Sequence, residues 1–153
     1  MNTIHSINFD MDGTIANLYG RATWLEELRS YDPTPYAVAE VMLNMSLLAR
    51  YIHKVQRKGI KVNIISWLSK EPNEEYDLAV TQAKLNWLRK HLPSVEFDAI
   101  YIVPYGTPKS TFAPSTGWNI LFDDEERNIQ EWEQSEQGLG FSPSQIIEVL
   151  KNI

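Results

Sequence analysis

The chain has 153 residues, a formal net charge of −6 and no cysteine. This length fits one domain of ordinary size that buries a sizeable core. The lack of cysteine excludes disulfides, iron–sulfur clusters and thiolate zinc sites, and the acidic balance argues against binding to the backbone of polymeric nucleic acid.

The first predicted element is a buried strand over Ile4–Phe9, because this short run is apolar and is bounded by polar residues. Two carboxylates follow it directly, Asp10 and Asp12, and a turn begins at Gly13. Alternate residues of an extended chain face the same side. Both carboxylates are therefore expected to point in one direction, with the turn at Gly13 fixing the aim of Asp12.

The stretch from about residue 17 to about residue 45 does not continue the alternation of strands and helices. It contains two predicted helical pieces, around Trp24–Leu28 and Tyr36–Met45, which are separated by the sequence Asp-Pro-Thr-Pro at 32–35. It also separates the first strand from the helix that leads into the second strand. We interpret it as a small helical cap inserted over the end of the sheet.

Three further strands are predicted over Ile60–Ile65, Ala99–Val103 and Asn119–Phe122, each rich in Ile, Val or aromatic residues. Apolar residues with helical spacing lie between and after these strands, at 47–55, 78–92, 129–132 and 142–150. Strands that alternate with helices imply right-handed crossovers and a parallel sheet covered on both faces. The predicted fold class is α/β, a three-layer, doubly wound parallel sheet in a single domain over residues 1–153.

Local signals are expected to bound these helices. Gly59 is placed to end the helix at 47–55, and Pro93 to end the helix whose buried face runs from Leu78 to Leu92. Asp124 could cap the helix that contains Ile129. Capping alone would be a sufficient reason for an acidic residue at position 124.

Polar side chains follow each of the four predicted strands. Asp10 follows the first, Ser66 the second and Lys109 the third, and the pair Asp123 and Asp124 follows the fourth. In an open parallel sheet, ligands bind outside the carboxyl ends of the strands. The sequence therefore predicts that these side chains meet at one edge of the sheet.

Two of these carboxylates suit phosphoryl transfer. Asp10 could attack phosphorus and form an aspartyl-phosphate, which divides one difficult step into two. Asp12 could protonate the leaving group as a general acid and then act as a general base toward water.

The remaining groups suit the binding of a metal ion and a phosphate. Mg²⁺ prefers hard oxygen ligands, which Asp10 and one or both of Asp123 and Asp124 offer. Lys109 would neutralise phosphate charge, and Ser66 would bind phosphate oxygens together with nearby backbone N–H groups. We therefore expect Mg²⁺ as the cofactor.

Residues 9–14, with the sequence Phe-Asp-Met-Asp-Gly-Thr, resemble motif I of the haloacid dehalogenase superfamily, Asp-x-Asp-Gly-Thr/Val. In the same order along the chain, Ser66 resembles motif II, Lys109 motif III and residues 121–124 motif IV. The resemblance spans residues 4 to about 130. It implies a Rossmann-like core, dependence on Mg²⁺, an aspartyl-phosphate intermediate and a small type 1 cap after motif I.

The resemblance also implies a wider set of site residues. The backbone carbonyl of Asp12 is expected as a further metal ligand, and Gly13 and Thr14 are expected beside the phosphate. Trp67 is expected to contact the substrate because it directly follows Ser66, and not because of the resemblance. A second motif I aspartate is typical of the phosphatase and phosphotransferase branches, whereas the dehalogenases lack it.

A narrower similarity is carried by residues 84–88, 100–103 and 122–124, together with Lys109. In this order they are similar to the 5′(3′)-deoxyribonucleotidase branch, although the cap of this chain is shorter. The expected function is thus a Mg²⁺-dependent phosphomonoesterase of a small phosphorylated metabolite, with a nucleoside monophosphate as the first candidate.

The same residues allow other interpretations. A phosphotransferase such as a sugar-phosphate mutase would share all four motifs. A receiver-type signalling domain is disfavoured, because the third strand ends in Pro-Tyr-Gly at 104–106 and offers no aspartate there. Three other lysines, Lys61, Lys70 and Lys84, compete with Lys109 for the phosphate. The aromatic residues of the cap suit either the core of the cap or a contact with the substrate.

Partners and location follow from the same observations. The N-terminal residues show no signal-peptide pattern, and no run approaches the roughly 18 apolar residues of a spanning helix. We expect a cytoplasmic protein with no membrane partner and no polymeric nucleic acid. Because a small cap can be completed by a second copy of the chain, a homodimer is a candidate assembly.

Overall fold

Seven strands and six α-helices form the part of the chain that the computed structural model describes, residues 3–114, 117–136 and 138–153. The strands are β1 (Ile4–Phe9), β2 (Ala16–Asn17), β3 (Glu40–Val41), β4 (Lys61–Trp67), β5 (Ala99–Val103), β6 (Trp118–Phe122) and β7 (Gly138–Phe141). The helices are α1 (Trp24–Arg29), α2 (Thr34–Val38), α3 (Met45–Arg57), α4 (Glu74–His91), α5 (Glu126–Gln134) and α6 (Ile146–Lys151). Short 3₁₀ turns lie at Lys109–Phe112 and Pro143–Gln145.

Five strands form one parallel sheet in the order β5-β4-β1-β6-β7. The chain leaves the central strand β1 toward β4 and β5, and it then returns across the sheet to β6 and β7. The strand order therefore reverses between β1 and β6. In open α/β sheets this reversal opens a crevice at the carboxyl ends of the strands, where ligands bind.

Helices cover both faces of this sheet. On one face, α3, α4 and α6 pack against apolar side chains of β1, β4 and β6, and Phe9 and Phe122 stack there with ring centroids 5.2 Å apart. On the other face, Trp132 of α5 packs against Ile65 and Leu121. Full burial of one large apolar side chain contributes about 1.5–3 kcal/mol. The predicted three-layer α/β fold is confirmed.

A chain of buried polar side chains crosses the three central strands. Ser6 Oγ donates to Asn119 Oδ1 at 2.6 Å, and Asn63 Nδ2 donates to Asn8 Oδ1 at 3.0 Å. Asn8 Nδ2 in turn donates to Ser6 Oγ at 2.8 Å. Because a shift of one residue would break these bonds, they specify the register in which β1 meets β4 and β6.

Local signals bound α3 at both ends, and the one at Gly59 is the one that the sequence predicts. Asn44 Oδ1 accepts a hydrogen bond of 3.0 Å from the backbone N–H of Leu47, which caps the first turn. After the helix ends, Gly59 takes a positive φ of 83°. Glycine adopts this conformation without a steric cost, so the chain can turn directly into β4.

Two elements differ from the expectation. The second helical piece of the inserted segment ends at Val38, not at Met45, because Glu40–Val41 pairs antiparallel with Ala16–Asn17. A fifth core strand, β7, was not predicted. Its sequence Gly-Leu-Gly-Phe has low strand propensity, and only its pairing with β6 makes it extended.

The buried face of α4 and the cap of α5 also differ. Leu78 is 67% exposed, whereas Val80, Lys84 and Trp87 are buried together with Leu88. The face is rotated because α4 packs against α2 as well as the sheet, and Trp87 Nε1 donates to the Ala39 carbonyl at 2.7 Å. Helix α5 begins after Glu125 without a side-chain cap, so the expected capping by the residue at 124 is wrong.

No helix in the described ranges is both long enough and apolar enough to cross a membrane.

Candidate functional site

The site lies at the crevice between β1 and β6. Asp10 follows β1, and its backbone N–H donates to the Phe122 carbonyl at 3.0 Å. Asp123 follows β6, and its backbone N–H donates to the Phe141 carbonyl at 3.1 Å. The sheet ladder thus continues one step beyond each strand and places both buried carboxylates at the same edge.

Three carboxylates form a compact cluster. Asp10, Asp123 and Asp124 each offer one oxygen atom, and these atoms lie within 4.8 Å of one another. Asp10 and Asp123 are buried, whereas Asp124 is exposed. Gly13 allows the close approach, since a Cβ at this position would lie 2.3 Å from Asp124 Oδ2. A set of hard oxygen donors fits Mg²⁺ well.

The ammonium of Lys109 bridges two of these acids. Its Nζ lies 2.8 Å from Asp10 Oδ1 and 2.7 Å from Asp123 Oδ2, and the side chain is 1% exposed. The second oxygen of Asp10 accepts from Thr14 Oγ1 at 2.8 Å. Asn128 Nδ2 donates to Asp123 Oδ2 at 3.2 Å. These bonds hold both carboxylate groups in fixed planes.

Glu131 of α5 holds the turn that carries this lysine. Its carboxylate accepts two hydrogen bonds from Ser110, one from the backbone N–H at 3.1 Å and one from the hydroxyl at 2.6 Å. Ser110 is the residue after Lys109, so the clasp fixes the start of the 3₁₀ turn against α5.

Burial and the crowding of negative charge raise the pKa values of two of these carboxyl groups. Burial, followed by the charge of Asp10, raises the pKa of Asp123 to about 6, although Lys109 opposes the shift. Partial burial and the charge of Asp10 raise the pKa of Asp124 to about 8. Burial lowers the pKa of Lys109, but Asp10 and Asp123 more than offset this and raise it overall. One ammonium does not balance three carboxylates, and a divalent cation would.

Asp12 stands beside the cluster with a lysine of its own. Lys84 Nζ donates to Asp12 Oδ2 at 2.9 Å and to Ser66 Oγ at 2.7 Å. Burial raises the pKa of Asp12, and the charge of Lys84 opposes this. Ser66 lies within β4, one residue before the end of that strand, and is fully buried.

A cavity of about 300 Å³ opens above these groups. About half of the lining residues are polar, among them Asp10, Asp12 and Lys109, and the others are apolar or aromatic. The apolar and aromatic lining residues are Leu18, Tyr19, Trp24, Leu28, Tyr36, Trp67, Leu68 and Tyr105. A pocket that combines apolar and aromatic walls with convergent polar groups is typical of small-molecule sites.

Trp67 also lines this cavity, and its one polar side-chain atom is used within the protein. Its indole N–H donates to the Thr107 carbonyl at 2.8 Å, and its ring packs against Tyr105 with centroids 4.9 Å apart. Lys109 Nζ and Arg127 Cζ lie 5.4 Å and 5.2 Å from the ring centroid. The expected contact of Trp67 with the substrate would therefore have to come from its ring or its backbone.

Six of the predicted site residues line the cavity, whereas Gly13, Thr14 and Ser66 do not; the six are Asp10, Asp12, Trp67, Lys109, Asp123 and Asp124. Thr14, expected beside the phosphate, uses its hydroxyl on Asp10 instead. The sequence suggests Lys84 as a competitor of Lys109 and as part of the similarity at 84–88, but not as a partner of Asp12, and it singles out neither Asn128 nor Arg127. A lysine four residues after Val80, on a face that is otherwise apolar, was the signal that could have identified Lys84.

Comparison with known proteins agrees with this architecture. No protein-family model matches the chain, and no curated protein matches it. Among solved structures, the chain is similar to D,D-heptose 1,7-bisphosphate phosphatase from Burkholderia thailandensis, with a TM-score of 0.55 and 15% sequence identity over 97% of both chains. At this identity the similarity establishes the Rossmann-like fold and not the activity.

Proposed function

We propose that this protein is a Mg²⁺-dependent phosphomonoesterase of the haloacid dehalogenase superfamily that works through an aspartyl-phosphate. The observation that carries the proposal is the cluster of Asp10, Asp123 and Asp124 beneath a cavity, with Lys109 bridging two of its members. The similar solved structure is that of a phosphatase, which supports the same class of reaction.

In the first half-reaction, a carboxylate oxygen of Asp10 attacks phosphorus, and the bond from phosphorus to the leaving oxygen breaks. The bonding electron pair stays on the leaving oxygen, which takes a proton from the carboxyl group of Asp12. The products are an alcohol, an aspartyl-phosphate and an ionised Asp12. Burial favours the protonated form of Asp12 that this step needs.

In the second half-reaction, the Asp12 carboxylate removes a proton from water as the water oxygen attacks phosphorus. The bond between phosphorus and Asp10 then breaks, and its electron pair returns to the Asp10 carboxylate. Inorganic phosphate leaves, and Asp12 is again protonated. One residue thus serves as acid and then as base without any net change in the enzyme.

Binding and neutralisation of the phosphate fall to the surrounding groups. Lys109 uses two of its three N–H donors on carboxylates of the described residues, which leaves the third for a phosphate oxygen. A Mg²⁺ ion held by Asp10, Asp123, Asp124 and the Asp12 carbonyl would neutralise charge on the phosphoryl group.

A nucleoside monophosphate is the substrate that we propose first. The residues from about 17 to 45 would act as the cap, and Tyr19 and Trp24 meet edge to face on the cavity wall with ring centroids 5.0 Å apart. Trp67 lines the same cavity. Flat aromatic walls suit the stacking of a base, which contributes about 1–3 kcal/mol.

The test is Mg²⁺-dependent release of inorganic phosphate across a panel of nucleotide, sugar and amino-acid phosphates. We expect release from several members, a preference for nucleoside monophosphates, and loss of release in Asp10→Asn. The exposed Asp98→Asn is the matched control and should remain active. Conversion of a phosphosugar into its isomer without net phosphate release would identify a mutase instead. Absence of both reactions would contradict the proposal.

A further inference from the structure

We propose that Lys84 is a positioning residue that aims two groups of the site at once, the carboxylate of Asp12 and the hydroxyl of Ser66. The proposal rests on the proposed function, because it concerns proton transfer to and from the leaving group. The chemistry described above makes no use of this buried ammonium.

The three donors of Lys84 meet three acceptors. Its Nζ lies 2.9 Å from Asp12 Oδ2, 2.7 Å from Ser66 Oγ and 2.7 Å from the backbone oxygen of Trp67. An ammonium has three N–H groups, so these bonds use all of them. Lys84 therefore has no donor left for a phosphate oxygen, which separates its role from that of Lys109.

The burial of the Lys84 ammonium is energetically unfavourable by itself and requires an explanation. The Lys84 side chain is 1% exposed, although it lies on the apolar face of α4 between Val80 and Trp87. Removing an ammonium from water is unfavourable unless it is paired, and a well-packed apolar residue at such a position is often at least as stable. The charge at this position thus fits a role in orienting its partners better than a role in stability.

The bond to Asp12 distinguishes its two oxygens. Oδ2 accepts from Lys84, whereas Oδ1 accepts no hydrogen bond from the residues that the structure describes. Lys84 therefore fixes the plane of the carboxylate and leaves Oδ1 as the oxygen that exchanges the proton. Without this bond, the carboxylate could rotate, and fewer encounters with the leaving oxygen would be productive.

The bond to Ser66 fixes the direction of its hydroxyl hydrogen. Because Ser66 Oγ accepts from Lys84, its own O–H must point away from the ammonium. Ser66 itself is buried and does not line the cavity. In this proposal, a bound phosphate accepts the hydrogen at the end of β4, so that one lysine links the residue expected to bind the phosphate to the group that moves the proton.

Tyr36 closes the remaining side of the ammonium. Its ring centroid lies 5.1 Å from Lys84 Nζ, and Tyr36 belongs to α2, which packs on α4 next to Tyr76 and Val80. The aromatic face attracts the cation and helps to exclude water from the three hydrogen bonds. Lys84 therefore contacts both Tyr36 of the inserted segment and the proton-transfer residue Asp12.

The experiment compares Lys84→Met with Lys90→Met, a matched change at an exposed position of the same helix. Two substrates are used with Mg²⁺, p-nitrophenyl phosphate and an alkyl phosphate. Nitrophenolate leaves without a proton, whereas an alkoxide leaving group needs one. The value of kcat/KM for the alkyl ester therefore reports on the orientation of the Asp12 carboxyl group. A rapid-quench burst of nitrophenolate reports on the second half-reaction.

We expect Lys84→Met to lose about 10- to 100-fold more kcat/KM with the alkyl phosphate than with the aryl phosphate. With the aryl phosphate, it should release one equivalent of nitrophenolate per enzyme quickly and then turn over slowly. Lys84→Arg keeps the charge and should show an intermediate ratio. Lys90→Met should match the wild type.

Equal losses with both substrates and no burst would overturn the assignment, because a purely structural role predicts that result. Unchanged activity in Lys84→Met would overturn it too. If Lys84→Met does not fold, the substrate ratio of Lys84→Arg decides, and a wild-type ratio overturns the assignment. A wild-type protein that hydrolyses neither ester contradicts the proposed function itself, and the role of Lys84 then fails with it.

Discussion

Lys109 donates a hydrogen bond of 2.8 Å to Oδ1 of Asp10, although 99 positions separate the two residues in the sequence. The same ammonium donates to Asp123 at 2.7 Å. It therefore joins the carboxylates that follow the two neighbouring strands at the switch point. Most of the chemistry proposed above depends on this pair of bonds.

Lys109→Met should destabilise the metal-free protein strongly, because it leaves two neighbouring carboxylates buried without a counter-charge. Loss of one partner from a buried ion pair costs about 3–5 kcal/mol. Lys61→Met is the control, since Lys61 pairs with Asp98 at 3.8 Å on the surface, where such a pair contributes about 1 kcal/mol or less. Denaturant unfolding with and without Mg²⁺ measures both changes. Equal losses of unfolding free energy in the two variants would contradict the prediction.

The acidic cluster predicts a specific dependence of stability on pH. The raised pKa values, about 6 for Asp123 and about 8 for Asp124, mean that the folded metal-free protein binds more protons than the unfolded chain. The contribution of these two carboxyl groups to the free energy of unfolding is therefore complete below about pH 4, and it is lost as the pH rises through 8. We expect the Tm in chelator to fall from about pH 5 to pH 8.

Mg²⁺ should reverse this trend, because metal binding displaces protons from the same carboxyl groups. The increase in Tm on adding Mg²⁺ should therefore be largest near pH 8. Thermal unfolding with Mg²⁺ and with chelator across this range measures the increase, and Asp124→Asn should reduce it. An increase that is largest at pH 5 would contradict the account.

Gly13→Ala should weaken metal binding beyond its effect on the backbone. Gly13 has a φ of 81°, and a Cβ there would lie 2.3 Å from Asp124 Oδ2. Gly59→Ala is the control, because Gly59 has a φ of 83° and its Cβ would meet no described atom within 4 Å. Both variants should lose about 1–2 kcal/mol from the left-handed conformation. Only Gly13→Ala should lose Mg²⁺ affinity, by about tenfold or more in calorimetry, and equal affinities would refute this.

Glu131→Ala should lower kcat while leaving most of the stability intact. Glu131 accepts two hydrogen bonds from Ser110, and without them the turn that begins at Lys109 loses its attachment to α5. We expect a fall in kcat of about tenfold, since small displacements at a site are costly for catalysis. Gln130→Ala, at an exposed position of the same helix, should keep full activity. Steady-state kinetics decides, and full activity in Glu131→Ala would contradict the role of the clasp.

The sequence predicted the elements whose signals are local and strong. Ile4–Phe9 and Ala99–Val103 are strands with the predicted bounds, since each is a short apolar run between polar residues. β7 was missed because its Gly-Leu-Gly-Phe sequence carries no strand signal, and only the neighbouring β6 makes it extended. The short pairing of Ala16–Asn17 with Glu40–Val41 likewise depends on contacts distant in sequence.

The site could be predicted as far as position in the sheet determines it. Residues directly after parallel strands must meet at one edge, so their place in the sequence is sufficient to bring Asp10 and Asp123 together. The partners of Asp12 could not be predicted, because Lys84 comes from the middle of a helix whose orientation depends on its packing against α2. Helical periodicity alone indicated a different buried face for α4, with Leu78 on it.

The most direct measurement is to trap the phosphorylated enzyme. The protein is mixed with an aryl phosphate and Mg²⁺ and quenched in acid within one turnover, and its peptides are analysed by mass spectrometry. We expect a phosphoryl group on Asp10, a larger trapped amount in Asp12→Asn because the second half-reaction lacks its base, and none in Asp10→Asn. Phosphate release from Asp10→Asn at the wild-type rate, or a trapped phosphoryl group on another residue, would contradict this expectation.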